Sequence, residues 1–165
     1  MNIKDEQLRA ERMVFYQKDI ERLDSELDAF LELSHARSVM LIDLDGHPVT
    51  RRGEPSESSD DSIAALIAGS FAATREVARL LGEENFSVMS HQGQRDSIQL
   101  QIVSARTVMA VLFDGRTNLG LVRFYSQETV KRLNEFLTSE PEIDPDAGLA
   151  DDFSDSAQEA LDKLF

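Results

Sequence analysis

The chain has 165 residues, room for one domain with a hydrophobic core, and sets 31 Asp and Glu against 17 Lys and Arg. That formal charge of −14 repels nucleic acid and anionic lipid, so neither is expected as a partner. With no Cys, no apolar leader behind basic residues and no uninterrupted apolar run of about 20 residues to cross a membrane, the chain reads as soluble and cytoplasmic.

Residues 1–12 form a polar extension. From Met13 the apolar positions Met13, Tyr16, Ile20, Leu23, Leu27 and Phe30/Leu31 advance in steps of three or four, which predicts one amphipathic helix. SVMLIDL (38–44) is the nearly continuous apolar run of a central strand, and Asp45-Gly46 turns it into a second strand, HPVTR. After the polar loop GEPSESSDD (53–61), Asp60 or Asp61 is placed to cap a second helix that runs to Leu81 and stops at Gly82. FSVMSHQG, DSIQLQIV and TVMAVLFD follow as three strands, and Asn118 caps a third helix with Leu119, Val122, Val130, Leu133 and Leu137 among its apolar positions. The order α-β-β-α-β-β-β-α, with apolar central strands and short hairpins, predicts an α/β sandwich on a five-stranded antiparallel sheet, occupying residues 13–139.

Beyond residue 139 the composition changes. Residues 140–165 hold nine carboxylates and one Lys, a net charge of −8. The segment 140–153, with two Pro, a Gly and repeated acids, predicts a mobile linker. Residues 154–165 then read as a short amphipathic helix: Ser156 and Glu159 have capping-box spacing, and Ala157, Ala160, Leu161, Leu164 and Phe165 form an i, i+3, i+4, i+7, i+8 stripe. So short a helix is marginal alone in water and reads as a docking peptide, to fold in a partner's groove or to pack back on its own domain.

Catalytic motifs do not hold together. MLIDLDGHPV resembles the Asp-x-Asp-Gly nucleophile strand of haloacid-dehalogenase-type phosphatases, but His47 replaces the usual Thr and a second strand follows where a crossover helix belongs, so Asp45-Gly46 is turn chemistry. His35, His47 and His91 have no metal-ligand spacing, the P-loop pattern is absent, and Ser62, Ser70, Ser87 and Ser97 lack a nucleophile-elbow context. No catalytic residue, cofactor site or metal site is expected, which leaves binding functions.

The second helix is the candidate surface. At 100° per residue, Ile63, Leu66, Ile67, Ser70, Thr74, Val77, Ala78 and Leu81 share a face assigned to the sheet, and Ala65, Ala68, Gly69, Ala72 and Glu76 lie opposite, flanked by Arg75 and Arg79. Gly inside a helix costs about 1 kcal/mol relative to Ala, so a small-residue face predicts close approach by a second backbone. Ala is also a strong helix former, a reading that needs no partner.

These residues and phrases resemble the Roadblock/LC7-domain family, a profilin-like fold, and within it the MglB type. The likeness runs from about Met13 to Leu137 through FYQKDIERLD, VMLIDLDG, AALIAGSFAAT, ARLLGEENF, HQGQRDSIQLQIV and VLFDGRTNLGLVRF, with LDKLF at the end. It implies a homodimer in which second helices lie side by side and third-strand edges pair, the joint surface receiving one MglA-type small Ras-like GTPase per dimer. Such proteins stimulate GTP hydrolysis by repositioning the GTPase's own catalytic residues, GTP and Mg being held by the partner. The resemblance further implies that the C-terminal helix engages the GTPase and promotes nucleotide exchange, and that the protein acts in bacterial polarity or motility, enriched at a cell pole and in contact with polarity proteins. A direct arginine finger from Arg75 or Arg79 is a minor variant, and a non-activating scaffold or effector is the alternative.

Overall fold

In the computed structural model, which describes residues 17–139, the elements follow the expected order: α1 (Gln17–Ser34), β1 (Ser38–Asp43), β2 (Pro48–Gly53), α2 (Asp60–Leu80), β3 (Val88–Gln92), β4 (Ser97–Ser104), β5 (Thr107–Phe113) and α3 (Leu119–Thr138). The extension 1–12, the first residues of the predicted first helix, the linker 140–153 and the segment 154–165 lie outside the described residues. No described helix is long and apolar enough to cross a membrane.

The five strands form one antiparallel sheet in the order β2-β1-β5-β4-β3. β1 and β5 are central and almost wholly buried, as their uninterrupted apolar sequences require of strands covered on both faces. Strand alternation divides the core in two. Val39 and Leu41 of β1 join Met109, Val111 and Phe113 of β5 under α1 and α3, where Leu23, Leu27, Phe30, Val122 and Leu133 close the layer. Met40, Ile42, Leu100, Val108 and Ala110 face the other way and pack with Ala64 and Phe71 of α2. One helix therefore covers one face and two cover the other.

The two sheet edges differ. On β2 the strand opens with Pro48, which has no N–H for a neighbour, and α1 holds its side chains: Arg52 Nε and Nη2 donate to Asp28 Oδ1 and Oδ2 at 2.8 and 2.9 Å, and Thr50 donates to Asp24. β3 pairs with β4 alone, and Ser90, His91 and Gln92 are exposed. The outer edge of β3 is thus the unguarded one.

Helix ends follow local chemistry. Ser59, not Asp60 or Asp61, takes the N-cap backbone position of α2; the two Asp occupy the first turn, where negative charge meets the positive end of the helix dipole. At the other end Gly82 (φ +80°) allows Gly82 N–H to reach Arg79 O and Glu83 N–H to reach Ala78 O, the paired bonds of a Schellman stop. Asn118 caps α3 as expected, its Oδ1 accepting from Leu121 N–H at 3.0 Å.

An ion-pair network ties the loops at the Gly53 end of the sheet. Arg37 donates to Glu54 (3.0 Å) and Asp96 (2.8 Å), while Arg116 donates to Glu54 (2.8 Å) and Asp114 (3.0 Å). Hydrogen bonds from Arg116 and then Arg37 hold the Glu54 carboxyl below the usual carboxylate range, and Arg116 does the same to Asp114 through its side chain and its backbone N–H. Gly53 (φ +103°) lets the strands close here, since a Cβ would stand 2.7 Å from Ser38 Cα and closer still to the Arg37 carbonyl oxygen.

Candidate functional site

The outward face of α2 departs from the helical-wheel expectation. The residues buried against the sheet are Ala64, Ala68, Phe71 and Ala78, with Ile63, Ile67 and Thr74 half-buried beside them. Leu66, Val77 and Leu81, expected on the core side, are 75, 49 and 68 % exposed, and Ser70 is exposed as well. Conversely Ala68, expected on the outward face, is 9 % exposed and belongs to the core. The correction has a steric cause. The β1–β2 turn sits against α2, so that a Cβ on Gly46 would meet Ala65 Cα at 3.3 Å and Ala68 Cβ at 3.8 Å. Where the turn lies that close there is room for Ala68 and not for a longer side chain, and the buried face runs through Ala64, Ala68, Phe71 and Ala78, which leaves Leu66 outward.

Ala65, Gly69, Ala72, Arg75, Glu76 and Arg79 remain exposed, so six of the seven expected positions do share the outer half of the helix. The wheel missed what lies among them. Leu66, Ser70, Ala73, Val77 and Leu80 are all exposed and recur at steps of four, three, four and three, the spacing of a helix–helix seam. Leu66 and Leu80, 75 and 72 % exposed, stand at its ends, with small residues at its middle. The signal was present in the sequence, hidden by the assumption that large apolar residues on a helix face inward.

Gly69 lies beside that seam, and nothing stands within 4 Å of where its Cβ would be. No contact within the protomer therefore calls for glycine there. Arg79 is committed to its own helix, donating from Nε to Glu76 Oε1 at 3.0 Å, and this bond lowers the Glu76 pKa. Arg75 borders a small hollow with Phe71, Asn85, Ile102 and Ser104, at the junction of α2 with β4.

Asp43, Asp45 and His35, singled out in the sequence, each make contacts within the fold. Asp43 Oδ1 accepts from His47 N–H at 3.0 Å within the β1–β2 hairpin, and Asp45 pairs at 2.9 Å with Arg106 of the β4–β5 turn, so the two carboxylates of the Asp-x-Asp phrase make different contacts. His35 ends α1 in the left-handed region (φ 57°), its N–H donating to Leu31 O. Among the described residues no three His, Asp or Glu side chains are grouped to hold a metal ion. Ala157, Ala160, Leu161, Leu164 and Phe165 lie outside the described residues.

Comparison with known proteins bears on this architecture. Residues 23–113 match the model of the Roadblock/LC7 domain. Among solved structures, Myxococcus xanthus MglB is 33 % identical, with 69 % of this chain and 93 % of that one aligned at a TM-score of 0.67. The gliding protein MglB from Thermus thermophilus is 29 % identical, covering 75 % of this chain and 94 % of its own at 0.71. Acanthamoeba castellanii profilin IB, 9 % identical over 68 % of this chain and 96 % of its own at 0.52, shares the fold alone. A search of curated proteins returns no match. On the family match and the helix–sheet order together, the chain belongs to the Roadblock/LC7 domain family and is MglB-like within it.

Proposed function

We propose that this protein is a homodimeric regulator of a small Ras-like GTPase of the MglA type and that it stimulates GTP hydrolysis without supplying a catalytic group. The observation that carries the reading is the exposed Leu66–Ser70–Ala73–Val77–Leu80 stripe beside Gly69. A solvent face would carry Lys, Glu or Arg; this one carries a seam. The stripe is nearly symmetric about Ala73, so an antiparallel copy sets Leu66 opposite Leu80 and brings small residues together at the crossing. The open edge of β3 adds backbone pairing to the same association. One GTPase per dimer then sits on the joined α2 surface, where Ala65, Ala72, Arg75 and Glu76 border the seam.

GTP and Mg belong to the GTPase in this reading. The dimer binds the arrangement in which the GTPase's own Arg and Gln are correctly placed and shifts the population toward it. Placement of an arginine in Ras-like enzymes is worth about 10³ to 10⁵ in rate, so selecting that state suffices. Because Arg79 pairs with Glu76, a direct arginine finger, the minor variant, would fall to the exposed Arg75. The cellular setting proposed is bacterial polarity or motility, with the protein enriched at a cell pole. The segment 154–165 is proposed to engage the GTPase and promote exchange.

The test is single-turnover phosphate release from the MglA-type GTPase preloaded with GTP, with this protein in excess. Strong acceleration is expected, together with its loss in Leu66→Lys/Leu80→Lys, a variant that keeps cooperative unfolding but sediments as a monomer. Binding without acceleration would instead identify a scaffold or effector, and an unchanged dimer in the double variant would remove the seam.

A further inference from the structure

A second group of exposed apolar side chains lies on the opposite side of the sheet from α2: Leu33 (51 %), Leu121 (42 %) and Phe124 (59 %). Two side-chain contacts fix how α1 and α3 run past each other. Arg132 donates to Glu26 at 2.8 Å, and the Arg22 guanidinium stands 4.6 Å from the Phe136 ring centroid. One turn back along α1 thus matches one turn forward along α3, so the helices are antiparallel. Leu33 shares the helical stripe of Arg22 and Glu26, and Leu121 that of Arg132. Continuing the register by two turns brings Leu33 level with Tyr125, against which the exposed Phe124 ring packs edge-on at 5.2 Å. The α1/α3 seam therefore has an apolar end. Its other end is a groove of about 320 Å³ bordered by Arg22, Glu26, Arg132, Glu135, Phe136 and Ser139.

Ser139 is the last described residue and borders that groove, so the acidic segment leaves the domain there. We propose that residues 156–165 dock in cis on the Leu33–Leu121–Phe124 end of the α1/α3 seam, with 140–155 as the tether. Two observations select this occupant. The segment's Leu161, Leu164 and Phe165 stripe offers the apolar surface the patch lacks. The reach also suffices: Phe124 lies 15 residues up α3 from Ser139, roughly 22 Å at the helical rise, and a 16-residue tether spans at least roughly 20–24 Å as a coil and more when its like charges repel. Docked there, the segment is withheld from any partner until one competes for its apolar stripe, a control that does not depend on which partner the α2 face takes.

Because the chain contains no Cys, a spin label on Asp162→Cys, which lies off the apolar stripe, reports the position of the segment in the full-length protein without background. Paramagnetic loss of most of the amide signal intensity at residues 31–34 and 119–126, restored by the surface substitution Phe124→Ser, is the expected result. Loss confined to the α2 face would overturn the proposal, as would no loss anywhere. So would loss at the patch when spin-labelled chains are mixed with isotope-enriched unlabelled ones, since that places the segment on a second copy.

Discussion

A Cβ on Gly46 would stand 3.3 Å from the Cα of Ala65, so the β1–β2 turn and the second helix meet almost backbone to backbone. This contact explains why a small residue stands at position 68 on the inner side of α2. Ala68, 9 % exposed and next to the same turn, has no room for a longer side chain. Ala68→Arg is therefore expected to unfold the domain, losing about 3 kcal/mol or more through overpacking and a buried charge, whereas Ala65→Ser, at an exposed position, changes stability by roughly 0.5 kcal/mol or less. Urea denaturation of the two variants checks this; a stable Ala68→Arg protein would return Ala68 to the outer face.

Gly69 gives the sharper test of the outer face, because its Cβ position is empty within the protomer. In a Leu66→Lys background, where the seam is broken, Gly69→Ala is expected to stabilise the fold by about 0.5–1 kcal/mol through helix propensity alone. With Leu66 in place the same methyl group meets the approaching helix, and the sedimentation-derived dimer constant weakens. Equal stabilisation in both backgrounds would mean that no backbone comes close there.

Much of the fold could be read from residue order. Strands β1 and β5 announced themselves as unbroken apolar runs, and the Asp45-Gly46 and Asn118 signals sit where the hairpin and the α3 cap form. What the sequence hid was set by size and not by polarity. The wheel, which sets the core face by its large apolar residues, puts Leu66 and Val77 inside and Ala68 outside, whereas the face buried in the structure centres on Ala64, Ala68, Phe71 and Ala78. The N-cap shifted from Asp60 to Ser59 because three consecutive residues there are all good caps, and only the backbone decides among them. The Leu33–Leu121–Phe124 patch was illegible for another reason: it joins residues far apart in the chain that only the antiparallel packing of α1 and α3 brings level.

The Arg37–Glu54–Arg116–Asp114 network predicts a component of acid sensitivity. The folded-state pKa values of Glu54 and Asp114 are lowered from 4.5 and 3.8, while those of both arginines are raised, so all four directions describe the same pairings. A depressed carboxylate pKa contributes stability that is present above the unfolded value and lost as pH falls through the folded one. The loss therefore begins near pH 5 and continues below pH 4. Acidification also relieves self-repulsion in a chain of charge −14, so the informative quantity is the difference between wild type and Glu54→Gln. The difference in urea midpoint is expected to be largest at pH 7, to shrink toward pH 3, and to shrink also in 1 M salt because the pairs are exposed. A difference independent of pH would assign the Glu54 contribution to packing.

The end of α1 holds a strained residue that can be relieved. His35 is the non-glycine residue with positive φ among those described, at 57°, and it ends the helix by donating its N–H to Leu31 O at 3.1 Å. Left-handed backbone costs an L-residue roughly 1–2 kcal/mol, while glycine adds back roughly 0.5–1 kcal/mol of unfolded-state entropy. His35→Gly is thus expected to raise stability by about 0.5–1 kcal/mol, seen as a higher urea midpoint with an unchanged slope. The position borders Leu33, so the same variant also separates cap strain from surface contact. If the imidazole supported the apolar end of the α1/α3 seam, its removal would lower the midpoint in the full-length chain and not after deletion of residues 150–165. Equal stabilisation in both chains assigns the effect to backbone geometry.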